Sequence, residues 1–263
     1  MTSRFARLLL ILLVLPVAAS AKSDGEALYP EAVDYPVIFE QMDAARERAI
    51  ASDRLVLYVL GANWCHDSTN LLQKIDQPAV ASVLDKYYEV NLINVGYLEY
   101  VREVVSRYRV PVIYGTPTVL VVEPRTNTLL NRDSLPYWRS AEMRSLDETV
   151  AYFKQWRPDS SLPAPDNVGP ALAGALYQID TFEIAQAERI YRAYAVLGEM
   201  MRELGEDKPD KDFYRLWENL AAMRSSITED LEALRASAES QAAAGADYIE
   251  LEFPSYSLFI DGD

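Results

Sequence analysis

The sequence has one cysteine, Cys65, and one histidine, His66, in 263 residues. A disulfide within the chain is therefore impossible, and a zinc site built from cysteine and histidine nearly so. Any thiol chemistry must use one sulfur and a partner from outside. Positive charge is also scarce: 25 Lys+Arg stand against 40 Asp+Glu, a formal charge of −15. A chain this acidic repels phosphate, which argues against nucleic-acid binding and against adhesion to anionic lipid. Hydrophobic residues make up 50% of the chain, enough for a real core and too many for general disorder. The length fits one large domain or two ordinary ones.

Residues 1–21 read as a secretory signal peptide. Arg4 and Arg7 form a basic start, Leu8 to Val17 an apolar run, and Ala19-Ser20-Ala21 a small-residue cleavage pattern. The run is short for a bilayer span, so the alternative of an uncleaved anchor is the weaker one. No cysteine follows it to carry a lipid. Phe5 and Ala6 separate the arginines, which excludes a twin-arginine signal. Cleavage after Ala21 would leave a chain of charge −17 in the periplasm or another exported space, with no stable membrane insertion. Secreted proteins usually pair their cysteines, so one unpaired cysteine in that setting asks for a reason.

From Tyr35 to Trp156, strand-like and helix-like text alternates. Val37 to Ala51 carries apolar residues at Ile38, Met42, Ala45 and Ala49, a helical spacing. Leu55 to Leu60 is a continuous apolar run, the mark of a strand buried on both faces. Loop and helix are expected over Asn63 to Gln77, and a further helix from Pro78 to Tyr87. Strands are expected at Val90 to Val95, Thr118 to Val122 and, more weakly, Thr128 to Asn131. A helix is expected over Leu98 to Tyr108. Ser145 and Glu148 have capping-box spacing before a last helix to Trp156. The alternation predicts an α/β fold, a central sheet covered by helices on both sides.

Residues 157–170, RPDSSLPAPDNVGP, contain four prolines and read as a stiff linker. Residues 171–245 turn helical. Ile190, Tyr194, Leu197, Met201 and Leu204 step by three and four, and so do residues from Phe213 through Leu216, Leu220, Met223, Ile227 and Leu231 to Leu234. Gly205 to Asp210 breaks the two runs, which predicts an antiparallel α-helical hairpin. Its tyrosine and methionine stripes read as packing between the helices. Residues 164–263 hold 8 basic and 20 acidic side chains, a net −12. In the tail, 246–263, Tyr248 to Phe253 alternates like a strand and Ser257 to Ile260 is apolar, so the tail is expected to dock.

The chemistry-bearing segment is Gly61 to Ser68, where a buried strand ends and a helix begins. Unpaired N–H groups and the positive end of the helix dipole gather there, and a thiolate placed there is expected to be moderately stabilised. Ser68 lies three residues beyond Cys65 on the same helical face, so its hydroxyl is expected to donate a hydrogen bond to the sulfur. His66, if protonated, would help the thiolate, and Asp67 would oppose it. Bland readings exist for each: Trp64 and Pro117 as scaffold, Cys65 as a small core residue, His66 as a solvated polar group, and Ser68 as a helix-start residue.

The order of residues resembles the thioredoxin-like superfamily. Trp64-Cys65-His66-Asp67-Ser68 is similar to its Trp-Cys-x-x-Cys site with serine in the last place. Gly115-Thr116-Pro117-Thr118 follows about fifty residues later, before an apolar strand. The resemblance covers residues 35–156. It implies a thioredoxin-like central sheet, a cis peptide before Pro117 lying against the sulfur, and a Thr116 backbone that pairs with extended substrate. Two departures accompany it. Ser68 replaces the resolving thiol, and Val59 stands where many members carry a buried acid. Both belong to one step, so the expectation is a monothiol protein, as in members with a Cys-x-x-Ser site. Cys65 and Ser68 would then be catalytic, and Trp64, His66, Thr116 and Pro117 would contact substrate. A protein or small-molecule disulfide would react, and an external thiol would resolve the product. No metal and no cofactor is needed beyond a small thiol such as glutathione. The alternative is a non-catalytic binding or adaptor module of the envelope. A sheet domain followed by helices also resembles glutathione transferases, but the export signal and the Trp-Cys-x-x-Ser loop argue against that.

Overall fold

Leu55–Gly61 (β1) is the central strand, and every residue of it is buried. Its alternating side chains divide the core in two. Val56, Tyr58 and Leu60 face one layer, and Leu55, Leu57 and Val59 face the other. The computed structural model describes residues 27–158, 168–205 and 209–257. The expected signal segment and most of the proline-rich linker lie outside them.

On one side of the sheet lie α1 (Tyr35–Ala51) and the short α4 (Arg102–Ser106). The first buries the four apolar residues expected from its spacing, Ile38, Met42, Ala45 and Ala49. On the other side lie α2 (His66–Ile75), α3 (Pro78–Tyr87) and α5 (Leu146–Phe153). The capping box forms: Glu148 N donates to Ser145 Oγ at 3.2 Å, and Ser145 N donates to the Glu148 carboxylate at 2.7 Å. Strands β2 (Tyr88–Asn94), β3 (Thr118–Glu123) and β4 (Thr128–Leu129) complete a sheet of order β2-β1-β3-β4. The β1 strand pairs parallel with β2 and antiparallel with β3, and β4 is antiparallel to β3. The fold is α/β and thioredoxin-like.

Some elements differ from expectation. The helix expected over Leu98 to Tyr108 keeps only its middle. Leu98 takes a left-handed φ of 78° and Arg109 one of 56°, conformations that interrupt a helix. Residues Arg132–Met143 form 3-10 turns, kinked at Ser140, where the sequence showed no periodicity. The tail forms no strand among its described residues. Its alternation serves docking on the helices instead: Ile249 is buried, Phe253 and Tyr256 pack on Phe182, and Glu250 bonds through its backbone to the Gln241 side chain.

Helices α6 (Pro170–Leu204) and α7 (Lys211–Ala243) are the expected hairpin. Ala175, Ile179, Ala187, Ile190 and Ala193 of α6 are buried with Leu220, Ile227, Leu231 and Ala238 of α7. The alanines keep the helix axes close. Asp210 caps α7 by accepting from Phe213 N at 2.8 Å. No helix among the described residues is long and apolar enough to cross a membrane.

Candidate functional site around Cys65

Cys65 is the N-cap of α2, extended at φ −91° and ψ 115°. Its carbonyl accepts from Thr69 N at 3.1 Å, the first bond of the helix. The side chain is half-buried, so the sulfur is neither sealed in the core nor fully in water. Its Sγ donates to the Thr116 carbonyl at 3.3 Å. The Thr116–Pro117 peptide is cis, as the resemblance implies. Two segments about fifty residues apart therefore meet at the sulfur.

Trp64 is held by its indole, whose Nε1 donates to the Gly96 carbonyl at 2.7 Å. Gly96 sits at a φ of 60° after β2, where a side chain would also strike Glu99. His66 is exposed, and its Nδ1 lies 3.4 Å from a Glu142 carboxylate oxygen. Asp67 accepts from Glu142 N at 2.8 Å. Both side chains following the cysteine thus engage the 3-10 segment. Val59 is fully buried among apolar neighbours.

Ser68 departs from the expectation. Its residue is fully buried, and its Oγ has no hydrogen-bond partner, the sulfur included. It faces inward because α2 turns that position toward β1, beside the buried Leu71 and Leu72. Thr116 and Pro117 are also buried. Thr116 keeps only 9% of its surface, and its carbonyl already accepts from the thiol.

The hairpin reaches the site. Trp217 of α7 packs edge-on against Trp64 with ring centroids 6.2 Å apart, and stacks on Phe213 at 5.7 Å. The loop before Pro117 is fastened to α6, and α7 reaches it through intermediaries. Tyr194 OH donates to the Ile113 carbonyl at 2.8 Å, and Tyr114 OH to Glu183 at 3.0 Å. Burial, with the Glu183 charge, pushes the Tyr114 phenol far above its ordinary range, so it stays a donor. Arg235 closes the group at 2.9 Å from the same carboxylate. Burial alone would lower the guanidinium, but Glu183 and Asp180 outweigh it and hold it charged. Arg139 packs over Gly115 and donates to Thr228 Oγ1 of α7 at 3.2 Å.

Several of these residues carried no signal in the sequence. Asn63 folds back on the segment before α1: Leu28 N and Tyr29 N donate to its Oδ1 at 2.9 and 2.8 Å, and its Nδ2 donates to the Tyr29 carbonyl at 3.1 Å. Tyr29 is thereby buried behind the cysteine loop. Neither it nor Trp217, Arg139 or Glu183 belongs to a local motif. Their roles come from contacts between distant segments.

No family model matches this chain, and no curated protein matches it. A solved structure, the disulphide isomerase from Xylella fastidiosa Temecula1, is similar to it at 25% identity. The likeness covers 48% of this chain and 93% of that one, with a TM-score of 0.43.

Proposed function

We propose that this protein carries out monothiol thiol–disulfide exchange in an exported compartment, with Cys65 as the nucleophile. The observation that carries the reading is the half-buried sulfur at the start of α2, 3.3 Å from the Thr116 carbonyl beside the cis proline. The Cys65 thiolate attacks one sulfur of a substrate disulfide. A bond forms between the two sulfurs, and the other substrate sulfur leaves with the electron pair as a thiolate. Ser68 cannot resolve this mixed disulfide. A second, external thiolate attacks the bound sulfur, and Cys65 leaves as a thiolate. The external thiol is a protein thiol or a small one such as glutathione. Trp64, His66, Thr116 and Pro117 are the proposed contacts to substrate, and the signal-like residues 1–21 support export.

The test is mass spectrometry of acid-quenched envelope extract, searching for disulfide adducts on the Cys65 peptide. Adducts that vanish in Cys65→Ala support exchange. A clean thiol, together with exchange activity retained in Cys65→Ala, removes it.

One observation favours the second reading, a non-catalytic binding module. The α6 helix is bonded to the loop before Pro117 through Tyr194 and Glu183, α7 reaches the same group through Arg235, and Thr116 is nearly buried. A surface on which extended substrate would lie in a thioredoxin-like protein is thus largely covered. That reading expects no adducts and an unaltered envelope phenotype in Cys65→Ala.

A further inference from the structure

Two buried hydroxyls meet behind the cysteine loop, and neither has a hydrogen-bond partner. One is Tyr29 OH, on a residue only 2% exposed and pinned through its backbone by Asn63. The other is Ser68 Oγ, on a fully buried residue. Both fill the space over Gly61. A side chain there would strike the Tyr29 hydroxyl and come 2.6 Å from Ser68 Oγ. Gly61 thus leaves room for two polar groups at the inner end of β1, between apolar Val59 and the active loop.

A hydroxyl left unpaired in a core costs on the order of 1–3 kcal/mol, and a pair of them together calls for a physical reason. The charge that acts on the Tyr29 phenol is that of Cys65. Cys65 is the N-cap and Ser68 the third helical residue, positions whose side chains and backbone face each other at a helix start. The thiol hydrogen is directed at the Thr116 carbonyl, which leaves the sulfur lone pairs free to accept. A thiolate is a far stronger acceptor than a thiol, because hydrogen bonds to charged groups are the strong ones.

We propose that Tyr29 is a positioning residue for Cys65: its phenol donates to Ser68 Oγ and so turns the Ser68 proton toward the sulfur. The proposal rests on the exchange reading and deepens it. The two hydroxyls are idle beside the thiol and engage when the sulfur carries charge. That moment comes when an external thiolate attacks the substrate sulfur of the mixed disulfide. The new sulfur–sulfur bond carries the substrate away, and the electrons of the broken bond stay on Cys65, where the Ser68 proton meets them. Tyr29 gives up no proton in this step. Burial, reinforced by the nearby Cys65 charge, pushes its phenol far above the ordinary range, so it acts as a donor and not as an acid.

The experiment uses the full chain and a small aromatic disulfide as probe, with the thiolate ultraviolet absorbance read at the same fixed pH. Tyr29→Phe removes one oxygen and keeps the ring. It is expected to slow the reaction by about three- to ten-fold and to reduce the thiolate absorbance. Ser68→Ala should lose at least as much. The double variant should be no slower than Ser68→Ala, since Tyr29 acts through Ser68. A Tyr29→Phe protein with wild-type rate and absorbance, even if more thermostable, overturns the proposal. So does a double variant whose loss is the product of the two single losses. These readings are independent of cellular adducts: absent adducts would remove the exchange reading, whereas adducts with an unaffected Tyr29→Phe would remove only the role of Tyr29.

Discussion

Trp217, in the C-terminal helical hairpin, meets Trp64, the residue just before the cysteine, edge to face at 6.2 Å. The hairpin therefore packs against the residue next to Cys65. Its attachment continues along the loop before Pro117 through Tyr194 and Glu183, and on the 3-10 segment through Thr228 to Arg139. Body and hairpin also share one apolar cluster, so each buries part of its surface against the other.

Trp217→Ala removes both the Trp64 contact and the stack on Phe213. For a half-buried tryptophan the loss is about 1.5–3 kcal/mol, below the figure for a fully buried one. A urea midpoint lowered accordingly, with faster alkylation of Cys65, is the expected result. An unchanged midpoint and an unchanged alkylation rate would show that the two rings do not support each other.

Two glycines of α6 should respond with opposite sign to the same change. A side chain at Gly174 meets nothing within 4 Å, so Gly174→Ala should stabilise by about 0.5–1 kcal/mol through helix propensity alone. A side chain at Gly198 collides with the backbone carbonyl of Tyr97. Backbone cannot swing aside as a side-chain tip can, so Gly198→Ala should lower the melting temperature despite its better propensity. Calorimetry of both variants decides it, and two upward shifts would mean that α6 does not press on the Tyr97 loop.

Glu123, at the end of β3, should sharpen acid denaturation. Burial raises its carboxyl, but hydrogen bonds from Thr126 N and Oγ1, with Arg125 nearby, outweigh that and hold it below the ordinary range. A carboxyl depressed in the folded state adds stability above its unfolded value of about 4.3. That stability is lost as the pH falls through the lower folded value. Glu123→Gln should thus be less stable than wild type at neutral pH, and the difference should shrink toward zero in strong acid. Melting temperatures followed from pH 7 downward test this, and a difference constant with pH would refute it.

What local text encodes was legible in the sequence, and what joins distant text was not. The continuous apolar run Leu55 to Leu60 named the central strand, and the spacing of Ile38, Met42, Ala45 and Ala49 named the buried face of α1. The steps of three and four named both hairpin helices, because helical and strand periodicity are properties of a few neighbouring residues. The place of Cys65 at a strand–helix junction was readable for the same reason. The direction of Ser68 was not: sequence spacing puts it on the helical face of Cys65, whereas packing of α2 on β1 turns it inward, over Gly61 and against Tyr29. The burial of Thr116, the Trp64–Trp217 contact and the chain from Tyr114 through Glu183 to Arg235 likewise arise only when segments far apart in the chain are brought together. Periodicity fixes which face of an element is apolar; which other element covers that face is settled by the shapes and polar partners that meet across the core.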